Sequence, residues 1–100
     1  MIIANAFSLQ MVGPSAHIDV SSLTSEEVAK YPLESAIGHV DTAFLVGQMI
    51  GQNLPANRAN MSLKSGESMI VAQYIGPRLP EGTKELPLGA RIEFRLVEVS

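Results

Sequence analysis

Strands and helices sharing one small domain are what this sequence predicts, on three observations. Its 100 residues are 46% hydrophobic and only 17% charged, with a mean hydropathy of +0.19, which is enough apolar surface for a core and too little charge for a disordered chain. Alternating and β-branched apolar stretches are interspersed with two segments that carry helix caps and stops. No internal repeat or low-complexity tract divides the chain, so residues 1–100 are read as one domain with a radius of gyration of about 13 Å.

Residues 2–7 are almost all apolar and include two isoleucines, which suits a strand buried on both faces in the middle of a sheet. A turn of helix around Leu9-Gln10-Met11 ends at Gly13-Pro14, and His17-Ile18-Asp19-Val20 alternates as a short half-buried strand does. Thr24 and Glu27 form a capping-box pattern, in which each side chain covers an unpaired backbone N–H of the first turn. Pro32 stops the helix that follows. Residues 36–51 hold the most apolar helix, with Asp41 or Thr42 as its cap and Gly51 just past its end. Ala59 to Lys64 alternates, Ser65-Gly66 turns the chain, and Ser68 to Ile75 returns as the second arm of a β-hairpin. Residues 76–89 contain three prolines and three glycines, which makes them a loop. Arg91 to Leu96 alternates cleanly as the last strand, with a slip of phase at Val97.

Composition also narrows the chemistry. Seven Lys plus Arg against ten Asp plus Glu leave a formal charge of −3, which argues against sequence-blind attraction to long nucleic acid, so that any polyanion has to be met by a local Arg cluster. The chain has no cysteine and two histidines, which leaves no thiolate chemistry and few metal ligands; no metal and no cofactor are expected. No apolar run nears the roughly 18 residues of a spanning helix, and the N-terminus lacks the basic start of a secretory signal. A cytoplasmic protein without a membrane partner is expected. At this size a partner subunit would add substantially to the buried surface.

Three features carry possible chemistry. Gly38-His39 stands just before the buried helix, where free N–H groups and a partial positive charge suit a phosphate and His39 can deliver a proton; the plainer reading is a structural histidine near a cap. In the loop, Arg78 can clamp a phosphate through its planar fork, and Glu81 can fix that Arg or accept from a ligand hydroxyl or base. The plainer reading there is an exposed ion pair, worth about 0–1 kcal/mol. Arg58, after Asn57, sits at a loop-to-strand junction where a ligand-facing and a solvated Arg look alike. Asn5 and Ser8 flank the carboxyl end of the first strand, near which mixed sheets open ligand crevices. Asn5 within an apolar strand needs hydrogen-bond partners, from the protein or from a ligand. P-loop, dinucleotide, zinc and EF-hand spacings are all absent.

Taken together, Asn5-Ala6-Phe7-Ser8, Ile37-Gly38-His39 with Thr42 three on, Asn57-Arg58 and Arg78-Leu79-Pro80-Glu81-Gly82 resemble the viral anti-CRISPR ring nuclease family, over nearly the whole chain. The resemblance implies a single α+β domain with a mixed sheet of about five strands flanked by helices, assembled as a two-fold homodimer with the ligand between subunits. It implies metal-independent cleavage of cyclic tetra-adenylate, the second messenger of type III CRISPR defence, to linear di-adenylate ending in a 2′,3′-cyclic phosphate, in the host cytoplasm if the protein is viral. His39 falls on the family's catalytic histidine. Arg58, Arg78 and Glu81 fall on ligand-contacting or catalytic-support positions, and Asn5 and Ser8 match the N-terminal motif. Gly38 and Thr42 accompany the histidine. Pro77 stands where the family has a polar residue, and Gln73 is offset by one from a ligand-contacting glutamine. Two other classes stay open: a non-catalytic binder that sequesters a cyclic nucleotide and leaves the ring intact, and a small dimeric protein-interaction module whose melting temperature no nucleotide raises.

Overall fold

Strands and helices follow in the order β1 (Ile2–Ala4), a 3₁₀ turn (Leu9–Met11), β2 (Ile18–Leu23), α1 (Ser25–Ala29), β3 (Glu34–Ala36), α2 (Val40–Ile50), β4 (Ser68–Ile75) and β5 (Arg91–Val99), in a computed structural model that describes residues 1–100. They make one α+β domain with a radius of gyration of 13.4 Å. Its five strands form a single sheet in the order β2-β5-β4-β1-β3. The sheet is mixed: β1 runs parallel to both β3 and β4, while β4–β5 and β5–β2 are antiparallel.

The apolar character of β1 follows from its interior place, paired on both sides by β3 and β4. Ile3 packs under the helices with Val28, Ile37, Val46, Ile70 and Phe94, while Ala4 joins Met69, Val71, Val97 and Val99 on the opposite face. The strand is shorter than the expected span 2–7, because the chain bends at Asn5. There the side-chain oxygen accepts from the Gly38 N–H at 3.3 Å, a partner that lies outside the ladder.

Three other expectations change. The hairpin arm 59–64 is not a strand, because both edges of β4 are already taken by β1 and β5. The segment instead crosses the face of the sheet away from the helices, with Leu63 buried there and its N–H donating to the Met11 carbonyl at 2.6 Å. The fifth strand is β3, read in the sequence partly as the start of the long helix; it pairs with β1 along its three residues. Consequently α2 begins at Val40, and its cap is His39 rather than Asp41 or Thr42. Finally, the slip at Val97 involves no bulge, since β5 keeps an unbroken register with both neighbours. Ile92 and Phe94 face the helices, whereas Val97 and Val99 lie under Phe7, Met11 and Val12 on the other face. Which face is covered changes along the strand; the pleat does not.

The helix ends are as the sequence reads them at α1 and Gly51. Thr24 and Glu27 close the capping box at 3.0 and 3.1 Å, and the Thr24 backbone N–H holds the Glu27 carboxyl below its ordinary range. The support this carboxylate lends is therefore complete above that range and fades as pH falls through the lowered value. At the far end of α2, Gln52 donates to the Tyr31 carbonyl at 2.8 Å, which ties α2 to the end of α1. This close return needs Gly47, where an added Cβ would sit 2.5 Å from the Gln52 carbonyl oxygen. Gly47→Ala gains about 1 kcal/mol of helix propensity but forces backbone apart, a cost of about 1–3 kcal/mol. We expect a net loss, read as a lower urea midpoint with an unchanged m value.

Candidate functional site

The carboxyl ends of β1, β3 and β4 open on one edge of the sheet, because the three are parallel. Chains leaving such ends build the ligand crevice of open sheets. Asn5 follows β1, Gly38-His39 follows β3, and Gly76 to Glu81 follow β4. Of these, Asn5, His39, Gly76 and Arg78 to Glu81 line a cleft of about 610 Å³ together with Asp41, Thr42 and Tyr74, and Gly38 lies outside its lining.

His39 enters the cleft as the cap of α2. Its Nδ1 accepts from the Thr42 N–H at 3.3 Å and lies 3.3 Å from the Thr42 hydroxyl. An acceptor at Nδ1 puts the ring proton of the neutral imidazole on Nε2, the end left for a ligand. The Ala43 N–H bonds back to the His39 carbonyl at 2.9 Å. That leaves the N–H groups of Val40 and Asp41 without protein acceptors, at the positive end of the helix.

Arg78 and Glu81 both line the cleft, but neither is paired. The chain's ion pairs are Glu93 with Arg91 at 2.8 Å and with Arg95 at 2.7 Å, on β5, where the hydrogen bond from Arg91, aided by the charge of Arg95, holds the Glu93 carboxyl below its ordinary range. The surface ion pair that would have explained Arg78 and Glu81 without a ligand is thus absent. Leu79, between them, packs against the core.

The other residues singled out in the sequence divide. Asn5 and Thr42 line the cleft with His39; Asn5 serves structure as well, through Gly38. Arg58 donates from Nε to the Gly38 carbonyl at 3.2 Å and lines a neighbouring cleft that shares Asn5 and includes Gly38. An added Cβ on Gly38 would lie 3.0 Å from the Arg58 Cγ, so this glycine lets the arginine lie across the backbone. Ser8 caps the 3₁₀ turn by accepting from the Gln10 N–H and is in neither cleft. Gln73 is exposed opposite Glu93, on the face of the sheet away from the helices.

Two lining residues were not legible as such. Tyr74, next to the last residue of β4, faces the helix side, where its hydroxyl donates to the Pro77 carbonyl at 2.6 Å; its phase with Ile70 and Ala72 was the available signal. Asp41 accepts from the Gly82 N–H at 3.2 Å across a separation of 41 residues, for which the sequence holds none. No three His, Asp or Glu side chains converge as metal ligands would, and no helix is long and apolar enough to cross a membrane. The arrangement offers one imidazole, one unpaired guanidinium, two free amides and two carboxylates, a set suited to a phosphodiester and its sugar.

A family model described as STIV B116-like matches residues 1–87, which include every residue named above for the cleft. Among solved structures, B116 of Sulfolobus turreted icosahedral virus is similar at a TM-score of 0.79 and 27% sequence identity, over 97% of this chain and 97% of that one. No curated protein matches the chain.

Proposed function

The chain belongs to the STIV B116-like family, and from that premise we propose that it is a ring nuclease, a phosphodiesterase that cleaves cyclic tetra-adenylate without a metal and thereby silences type III CRISPR signalling. The observation that carries the reading is the cap of α2: an imidazole with Nε2 free beside an unpaired Arg78 in one cleft. The resemblance of the site segments to the viral anti-CRISPR ring nucleases supplies the substrate.

RNA carries its own nucleophile, because a ribose 2′-hydroxyl attacks the adjacent phosphorus when held in line with the departing 5′-oxygen. Glu81 accepts the 2′-hydroxyl proton as the new O–P bond forms. Arg78 and the amides of Val40 and Asp41 stabilise the charge gathered on the phosphorane. The P–O5′ bond breaks as His39 Nε2 gives its proton to that oxygen, leaving a 2′,3′-cyclic phosphate and a free 5′-hydroxyl. To be an acid at Nε2 the ring must hold a second proton on Nδ1, which then donates to the Thr42 hydroxyl in place of accepting from the Thr42 N–H. Protonation of Nδ1 thus exchanges the helix cap for readiness of Nε2 as the acid.

A ring of four-fold symmetry contains a two-fold axis, so a homodimer can offer one His39 to each of two opposite phosphates and release two dinucleotides. Charge is the obstacle, since each protomer carries −3 and the ligand is a polyanion. Arg58 and Arg78 from two subunits supply four positive charges around it, and Glu81 must meet a donor on the sugar, not phosphate. Incubation of the ring with EDTA and analysis of the products tests the proposal. We expect di-adenylate with a 2′,3′-cyclic end at an undiminished rate; loss of activity on chelation overturns the mechanism. Recovery of tightly bound, intact ring favours a sequestering protein, in which Nδ1 of His39 only caps.

A further inference from the structure

Apart from a turn bond from the adjacent Ala90 N–H to the Pro87 carbonyl, residues 78–89 make one hydrogen bond to the rest of the fold, from the Gly82 N–H to Asp41 Oδ2 at 3.2 Å. Otherwise this long loop is held by Leu79 against the core and, at its base, by Tyr74 on the Pro77 carbonyl. Its middle is a unit of its own. Thr83 bonds to the Pro80 carbonyl through both N–H and hydroxyl, and Gly82 takes φ 79°, in the left-handed region that residues with a Cβ rarely adopt. A stiff turn carrying Glu81 is therefore fastened to the first turn of α2, two residues past His39, by a single bond.

We propose that Asp41 is a positioning residue, a latch that holds the Pro80–Thr83 turn over the cleft and so sets Arg78 and Glu81 against His39. Holding the turn requires an acceptor on residue 41 and not a charge. The carboxylate makes no ion pair, and a negative group in the cleft works against a polyanion unless something else requires it. The latch stands on its own geometry; its part in catalysis rests on the proposed ring cleavage.

Asp41→Asn and Asp41→Ala both remove the charge, but only Asp41→Ala removes the acceptor, so the difference between them reads the hydrogen bond. Limited trypsin digestion of the ligand-free protein, following cleavage after Arg78 and Lys84 with Arg95 in β5 as the reference for global unfolding, is the first measurement. We expect loop cleavage about tenfold faster in Asp41→Ala, as suits loss of one hydrogen bond, and within about twofold of the natural protein in Asp41→Asn. Equal loop cleavage in the natural protein and Asp41→Ala overturns the latch, and so does Asp41→Asn cleaving as fast as Asp41→Ala. The second measurement is single-turnover cleavage of cyclic tetra-adenylate. The rate should fall about tenfold in Asp41→Ala and be largely recovered in Asp41→Asn; equal rates in the two variants overturn the positioning role. If no form of the protein cleaves the ring, the proposed function falls, and the positioning role with it, while the digestion still decides whether Asp41 is a latch.

Discussion

His39→Asn is expected to slow ring cleavage by about 10²–10⁴, the usual worth of a positioned general acid, while the melting temperature stays where it was or rises. The two effects separate because His39 does two jobs. As the cap of α2 it accepts from the Thr42 N–H, and Asn is among the best residues for that position, whereas Ala costs about 0.5–2 kcal/mol there. Asn has no proton to give to a leaving oxygen. His39→Ala should therefore lose both activity and stability, and His39→Asn activity alone. Thermal denaturation beside single-turnover cleavage checks the pair of outcomes. If His39→Asn cleaves within a few-fold of the natural protein, the imidazole is a cap and nothing more, whatever the ligand.

The second large effect is expected at Arg78. Its guanidinium pairs with no carboxylate in the free protein, so removing it should leave stability within about 0.5 kcal/mol, as for other surface substitutions. Catalysis should respond differently. Loss of one preorganised donor to a developing negative charge costs about 10²–10³ in rate, and Arg78→Ala should also flatten the fall of affinity with added salt. Arg78→Lys should recover part of the binding and little of the rate, because a point charge lacks the planar fork that holds two phosphate oxygens together. Titration of cyclic tetra-adenylate into His39→Asn and into the same protein with Arg78→Ala, at two salt concentrations, measures the binding part without turnover. An unchanged affinity and salt slope place Arg78 outside the ligand site.

Much of the fold could be read locally. Thr24 and Glu27 announced α1, Gly51 closed α2, and the apolar run around Ile3 is an interior strand, shorter than its pattern and next to the edge strand β3, because each of these depends on residues within one turn or one strand. Two wrong expectations have different causes. The alternation at 59–64 is real, but alternation describes a surface with one buried side, and a strap lying across the sheet satisfies it as well as a strand does. Glu34 to Ala36 carries too few residues for any period to appear, so only pairing with β1 reveals it. At the site, the residue types were legible and their company was not. His39 and Arg78 meet because β3 and β4 end on the same edge, while Gln73, in a neighbouring position of β4, points to the other face.

Sequence alone determined that this chain folds as a small domain of strands and helices, that it has no cysteine for thiol chemistry, and where His39 and the proline-rich loop lie along the chain, since these follow from composition and from contacts a few residues long. Tertiary structure decided the rest: that His39 is itself the cap, that Arg78 and Glu81 stand unpaired in one cleft, and that Asp41 holds Gly82 from 41 residues away. Such contacts depend on which strands lie side by side and in which direction, and strand order is set by the competition of all the apolar faces for burial on the two sides of one sheet.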